Sequence, residues 1–241
     1  MDGIEKRFTE LAGRADEWCC AQFSDFLNME EQSELAALKL RTPYDLWGGY
    51  DNAERRIAAF GGAEPCDFPI AIIKSEPLNA KFADKLSHRD FLGSLMGLGI
   101  KREVLGDIVI CGSTGYIFCL ETIADYIASS LNKVKHTSVK CSVVQELPED
   151  AQAKPEEKTI IAASERLDVL AAGVYNLSRN QVKELFLGRK VFVNSALCEN
   201  YSFIPKEGDV ISVRGFGRFV FCGAQGTTKK GRLLVEVLLY K

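Results

Sequence analysis

The sequence predicts an α+β fold in three parts, and three observations carry that expectation. Apolar residues recur at helical spacing through residues 1–64, strand-like runs alternate with helical stretches through residues 65–145, and residues 160–241 open on two short capped helices followed by strand-like runs. Between the second and third parts, residues 146–159 carry acids, prolines and little apolar content, which is the composition of a solvated linker.

The first part is expected to be a helical region. Ile4, Phe8, Leu11 and Ala15 share one helical face. A second helix starts at Asn28, whose side chain can cap free backbone amides while Glu31 reaches back to it, and Leu35, Ala36, Leu38 and Leu40 continue the pattern. Gly48-Gly49 interrupts, and Asp51 or Asn52 is placed to cap a third helix through Arg55, Arg56 and Ile57 to Gly61.

The second part reads as a strand from Phe68 to Lys74, a helix from Ser87 to about Leu98, two strands (Asp107 to Cys111 and Tyr116 to Glu121) around the turn Gly112-Ser113-Thr114-Gly115, a helix from Thr122 to Asn132 and a strand from Ser138 to Gln145. This β-α-β-β-α-β order is that of RRM-like and ferredoxin-like domains. His88-Arg89-Asp90 imitates the opening of a kinase catalytic loop, but Ser87 before a helix with Asp90 at its third position explains the same letters as a cap. Glycines 93, 97 and 99 suggest close packing of that helix on the sheet. Tyr116 and Phe118 share one strand face; Gly115-Tyr116-Ile117-Phe118 partly follows the aromatic motif that stacks RNA bases, yet alternating aromatics more often mark a buried face.

A chain of 241 residues that is 46% hydrophobic and 26% charged can bury a sizeable core. Met1-Asp2 leads into Glu5, Lys6 and Arg7 without the apolar run of a secretory signal, and no segment has the length to span a bilayer, so a cytoplasmic protein with no membrane partner is expected. The eight cysteines form no Cys-x-x-Cys pair and only His88 and His136 could add imidazoles, so the cysteines read as reduced and mostly buried, with no metal and no cofactor expected. The formal net charge of −3 is unevenly spread: Ser164 to Lys241 holds twelve Lys and Arg against seven Asp and Glu, a net of +5 that leaves −8 for the rest. An acidic chain with a basic end has a local footprint for a polyanion.

The basic end carries the motifs. Ser164 to Gly173 reads as a helix capped by Ser164 and stopped by Gly173. A second helix starts at Ser178, with Gln181 completing its cap, and runs to Gly188; Val182, Leu185 and Phe186 turn inward while Arg179 and Lys183, four apart, lie together on the border. Paired cations of this kind neutralise phosphates, and arginine can hold one in a two-pronged grip. In order and spacing, Arg166-Leu167-Asp168, Ser178-Arg179, Lys183, Gly188-Arg189-Lys190-Val191-x-Val193-Asn194 and Glu207-Gly208-Asp209-Val210-Ile211 resemble the S-four-type RNA-binding domain. The resemblance implies two helices and a β-hairpin that grip structured RNA, with Arg166, Ser178, Arg179, Asn180, Lys183, Lys190 and Asn194 facing it. Arg166 with Asp168 could alternatively form an internal ion pair.

Further motifs widen the likeness. Asp25-Phe26-Leu27 with Glu31-Gln32, Gly48-Gly49-Tyr50-x-x-Ala53-Glu54-Arg55-Arg56, and His88-Arg89-Asp90-Phe91-Leu92-Gly93 through Leu98-Gly99-Ile100-Lys101-Arg102-Glu103 to Gly106-Asp107-Ile108 resemble the bacterial YlmH family, with a departure at Asn28-Met29 where that pattern has a proline-containing turn. What this implies is a non-enzymatic factor, monomeric off the ribosome. Its partners would be ribosomal RNA and tRNA on a large subunit obstructed by peptidyl-tRNA, in ribosome-associated quality control. An RNA-modifying enzyme with an appended S-four domain would leave a methyl-donor loop, synthetase motifs or a synthase aspartate motif in residues 1–163, and none is recognisable there. A division-linked scaffold using the acidic front is the third class.

Overall fold

The computed structural model describes residues 3–79, 81, 83–152 and 154–240. Contacts divide the chain into two compact units, Met1–Gln152 and Ala153–Lys241. Helix and strand are mixed in both, as the α+β expectation requires.

The first unit opens with α1 (Gly3–Trp18), β1 (Gln22–Leu27), α2 (Met29–Ala37), β2 (Tyr44–Trp47) and β3 (Arg56–Phe60), the strands forming an antiparallel sheet in the order β1-β3-β2. This corrects the expectation of an all-helical start. The third helix is instead the central strand β3, in which Ile57, Ala58, Ala59 and Phe60 are all fully buried. A short apolar run covered on both faces shows neither helical nor alternating periodicity, so its pattern is silent on its type. Ala58 and Phe60 join Phe8, Ala12, Leu27 and Leu35 beneath α1 and α2, while Ile57 and Ala59 face the other way. The cap of α2 matches expectation: Asn28 Oδ1 accepts from Glu30 N–H (2.8 Å) and Glu31 N–H (3.1 Å), and Glu31 Oε2 accepts from Asn28 N–H (2.6 Å).

β4 (Ile70–Pro77), α3 (His88–Gly97), β5 (Leu105–Cys111), β6 (Thr114–Leu120), α4 (Ala124–Ser130), β7 (Lys133–Val134) and β8 (Thr137–Val144) build a second antiparallel sheet in the order β5-β6-β4-β8-β7. One face, carrying Ile73, Ile117 and Cys119, lies under α3 and α4 through Phe91, Leu95, Ile127 and Leu131. The opposite face, carrying Ile72, Tyr116 and Phe118, packs on Phe26, Ile57 and Ala59 of the first sheet. Tyr116 is 6% exposed and Phe118 0%, so both aromatics are core. Gly93 and Gly97 are exposed, and a Cβ on either would meet nothing within 4 Å, so the expected close packing at α3 is not what these glycines serve. His88-Arg89-Asp90 is a cap, with Ser87 N–H and Oγ–H both donating to Asp90 Oδ2 (2.8 and 2.6 Å).

The expected linker at 146–159 carries structure at two places, 149–151 and 156–159. Leu147 and Ala151 are each 6% exposed and seated in the cluster around Phe118, Leu147 just ahead of a short 3-10 turn (Glu149–Ala151) and Ala151 at its end, and β9 (Glu156–Ala162) already belongs to the second unit. Two apolar residues four apart suffice to anchor a segment whose average composition is polar. The cysteines are all free, but of the eight only Cys119 is buried, and Cys19, Cys20 and Cys66 are exposed, which corrects the reading of them as mostly interior.

In the second unit β9 is followed by α5 (Leu167–Tyr175), α6 (Arg179–Leu187), β10 (Val191–Val193), β11 (Ala196–Leu197), β12 (Val210–Val213), β13 (Gly217–Thr227) and β14 (Leu233–Tyr240). The strands make one antiparallel sheet in the order β11-β10-β12-β13-β14-β9. Leu167, Leu170 and Val174 of α5 and Val182, Leu185 and Phe186 of α6 share a core with Ile160, Val191, Ile211, Phe219 and Val235. α5 begins at Arg166 rather than Ser164 and runs past Gly173 to a left-handed Asn176 (φ 55°). Gly173 serves contact instead of termination, since a Cβ there would stand 3.0 Å from Ile160 Cδ1.

Candidate nucleic-acid interface

The first turn of α5 is tied to the loop between β11 and β12. Leu167 N–H donates to Phe203 O (2.8 Å) and Asp168 N–H to Tyr201 O (3.1 Å), so two amides that a helix start leaves free are satisfied by that loop. Arg166 folds back onto Asp168, with Nη2 to Oδ2 at 2.8 Å and Nε to Oδ1 at 3.1 Å. This is the internal ion pair that the residues allowed. The Arg166 side chain remains 43% exposed, so the pair fixes the guanidinium plane without burying the residue.

α6 starts from the cap its sequence announces. Ser178 N–H and Oγ–H donate to Gln181 Oε1 (both 2.9 Å) and Gln181 N–H donates to Ser178 Oγ (3.3 Å). With the first turn so fixed, Val182, Leu185 and Phe186 go inward while Arg179 and Lys183 stay exposed. No ion pair among the described residues engages either cation.

These elements enclose a cavity of about 650 Å³. Buried Val182 and Phe186 form its floor with Val169, while Arg166, Arg179, Lys183 and Tyr201 stand around it. Tyr201, 54% exposed, meets the edge of Phe186 at 6.1 Å between ring centroids. Asp168 is the acid of the lining, and Arg166 occupies it. Three cations over an apolar floor suit a phosphodiester with a ribose or base face against the hydrocarbon. A second cavity of about 640 Å³, in the first unit, is lined by Asp45, Glu64 and Asp67 and has the wrong sign for that ligand.

Of the seven residues expected to face RNA, the fold brings Arg166, Arg179 and Lys183 together. Ser178 is occupied as a cap. Asn180 and Lys190 are exposed but do not line the cavity. Asn194 holds a turn: at φ 49° its Nδ2–H donates to Asp209 Oδ1 (2.8 Å) and its Oδ1 accepts from Val210 N–H (2.9 Å), which uses both ends of the amide. Tyr201 escaped the sequence reading because a lone aromatic in a loop carries no periodicity.

The motifs shared by the front of the chain meet in one place and are architectural. Asp107 accepts from Tyr50 Oη–H (3.0 Å), Glu54 N–H (2.7 Å) and Arg55 N–H (3.2 Å). Arg55 donates to Leu105 O (2.8 Å), Phe26 O (2.7 Å) and Arg102 O (3.2 Å), and Arg102 donates to Leu105 O (2.8 Å) and Gly106 O (2.9 Å). Burial, then the neighbouring Arg55, push the Arg102 guanidinium down to about 10, with Asp107 opposing. Gly106 admits the Phe26 ring, which a Cβ would meet at 2.7 Å. The two sheets are thereby stitched through backbone carbonyls and one carboxylate.

The second unit is an α+β domain whose helices α5 and α6 border a cavity lined by Arg166, Arg179 and Lys183. The chain belongs to the YlmH family. It is 32% identical over 221 residues, 88% of this chain and 84% of the relative, to the "Ribosome-associated protein quality control protein P2" of Bacillus subtilis (strain 168). Residues 64–147, which include β4 to β8, match the family profile described as "Putative RNA-binding domain in YlmH". A solved structure, the cell division protein ylmH from Streptococcus pneumoniae, aligns at 18% identity with a TM-score of 0.49 over 58% of this chain and 88% of that one.

Proposed function

We propose that this protein is a non-enzymatic, cytoplasmic RNA-binding factor that engages structured ribosomal RNA or tRNA on the large ribosomal subunit, in quality control of stalled peptidyl-tRNA complexes. Its second unit acts as an S-four-type RNA-binding domain. The observation that carries this reading is the convergence of Arg166, Arg179 and Lys183 on one apolar-floored cavity. The name of the Bacillus relative supports the ribosomal setting. The description of the matched profile supports RNA as the ligand. No helix of the described residues is long and apolar enough to cross a membrane.

The cavity cations supply both attraction and geometry. Arg179 and Lys183 are free to neutralise phosphates, releasing counterions, while Arg166 is pre-oriented by Asp168. Charge reversal at both free cations (Arg179→Glu with Lys183→Glu) is expected to abolish co-sedimentation of the full chain with ribosomes at moderate salt. Its thermal unfolding should match wild type, because both side chains are exposed. A folded double variant that co-sediments like wild type across a salt series would sink the reading.

A further inference from the structure

A second basic element stands beside the cavity. β14 pairs with β9 so that Leu233 lies opposite Ala162, and β9 runs directly into Ala163 and Ser164, which line the cavity. The turn joining β13 to β14, residues 228–232, therefore projects from the same end of the sheet. At roughly 3.3 Å per residue its tip is within about 10 Å of that rim. Lys229, Lys230 and Arg232 on this turn are all exposed and enter no ion pair among the described residues.

The turn is ordered rather than a loose tail. Thr228 N–H donates to Arg232 O (2.7 Å), Gly231 N–H to Thr228 O (2.9 Å) and Arg232 N–H to Thr228 Oγ1 (3.1 Å), with Gly231 at φ +72° closing it. Register breaks between Phe221 and Ala224 and again between Ala224 and Gly226, next to Gly223 at φ +94°, bend the hairpin and so re-aim its end. Three like charges fixed on one tight turn repel one another, and a phosphate chain laid across them relieves that repulsion.

We infer that Lys229, Lys230 and Arg232 form a second phosphate-binding site that grips the same RNA as the cavity, so that the recognised ligand is a phosphodiester backbone long enough to reach both. This rests on the reading of the cavity as an RNA site and adds the dimension of that ligand. The test uses the full chain and two fluorescent RNAs, a stem-loop of large-subunit ribosomal RNA and a dinucleotide small enough to occupy the cavity alone. Neutralising the turn (Lys229→Gln, Lys230→Gln, Arg232→Gln) is expected to weaken the stem-loop on the order of tenfold and to reduce the salt slope by about 0.9 for each phosphate no longer neutralised, while leaving the dinucleotide unchanged. Unchanged binding of the stem-loop, alongside a loss in the Arg179/Lys183 reversal, overturns the second site and leaves the cavity reading intact. Equal weakening of both RNAs also overturns it, as a long-range charge effect. Loss on neutralising the turn with none on reversing Arg179 and Lys183 overturns the cavity reading and the two-point grip together.

Discussion

Asp168 decides what Arg166 can do. The carboxylate accepts both prongs of the guanidinium and the Val169 N–H (3.0 Å), so the arginine is held in one plane at the cavity mouth. Attraction and orientation make opposite forecasts for Asp168→Asn. Removing a negative charge beside a polyanion site should tighten binding if net charge governs, and weaken it if the fixed fork governs. Weaker binding to a ribosomal stem-loop by fluorescence anisotropy, despite the gained charge, is the expected result; tighter binding would show that Arg166 acts only as a charge. At this scale the sequence was informative about kind and silent about company. Arg179 and Lys183 were legible as neighbours because four residues make one helical turn. That Arg166 joins them, or that Asn194 bonds to Asp209, depends on how α5 and β12 come to lie beside α6 and β10, which no local pattern encodes.

Helix caps are the elements the sequence announced most clearly, since a cap is complete within four residues. Asn28, Ser87 and Ser178 all begin helices as their spacing to Glu31, Asp90 and Gln181 requires. β3 and the turn at 149–151 were hidden, because their character comes from what covers them. The cap at Ser178 also separates two roles for one residue. Ser178→Ala is expected to lower stability by about 1 kcal/mol, a fall in melting temperature of about 4–8 °C for a unit of this size. Ser178→Asn, which keeps the cap, should restore both melting temperature and RNA binding. Persistent loss of binding in the asparagine variant at full stability would mean that the serine hydroxyl itself meets RNA.

At the scale of the whole chain, the place to divide it follows from the sheets. A cut between Gln152 and Lys154 keeps every described element whole. A cut after residue 145 strips Leu147 and Ala151 from the cluster around Tyr116 and Phe118. A start at residue 160 removes Glu156 to Thr159, which pair with Glu236 to Leu239 of β14. The fragment 1–152 is therefore expected to melt cooperatively and above 1–145, and 154–240 above 160–240, in paired calorimetric scans. Equal melting within each pair would show that these margins contribute nothing. The charge imbalance that the sequence displayed follows the same division, with +5 in the basic unit and −8 in the other.

The buried face of the second sheet limits what kind of information this protein can extract from an RNA. An open sheet with paired aromatics reads letters, by stacking and by the edges of unpaired bases. Here Tyr116 and Phe118 are interior, closed off by Phe26, Ile57 and Leu147. Under the proposed function the cations of the other unit meet phosphates, which are the same under every letter, and the target is known by its contour rather than its spelling. Ribosomal RNA that drifts in sequence while keeping its helices stays recognisable, whereas a change in the path of its backbone does not.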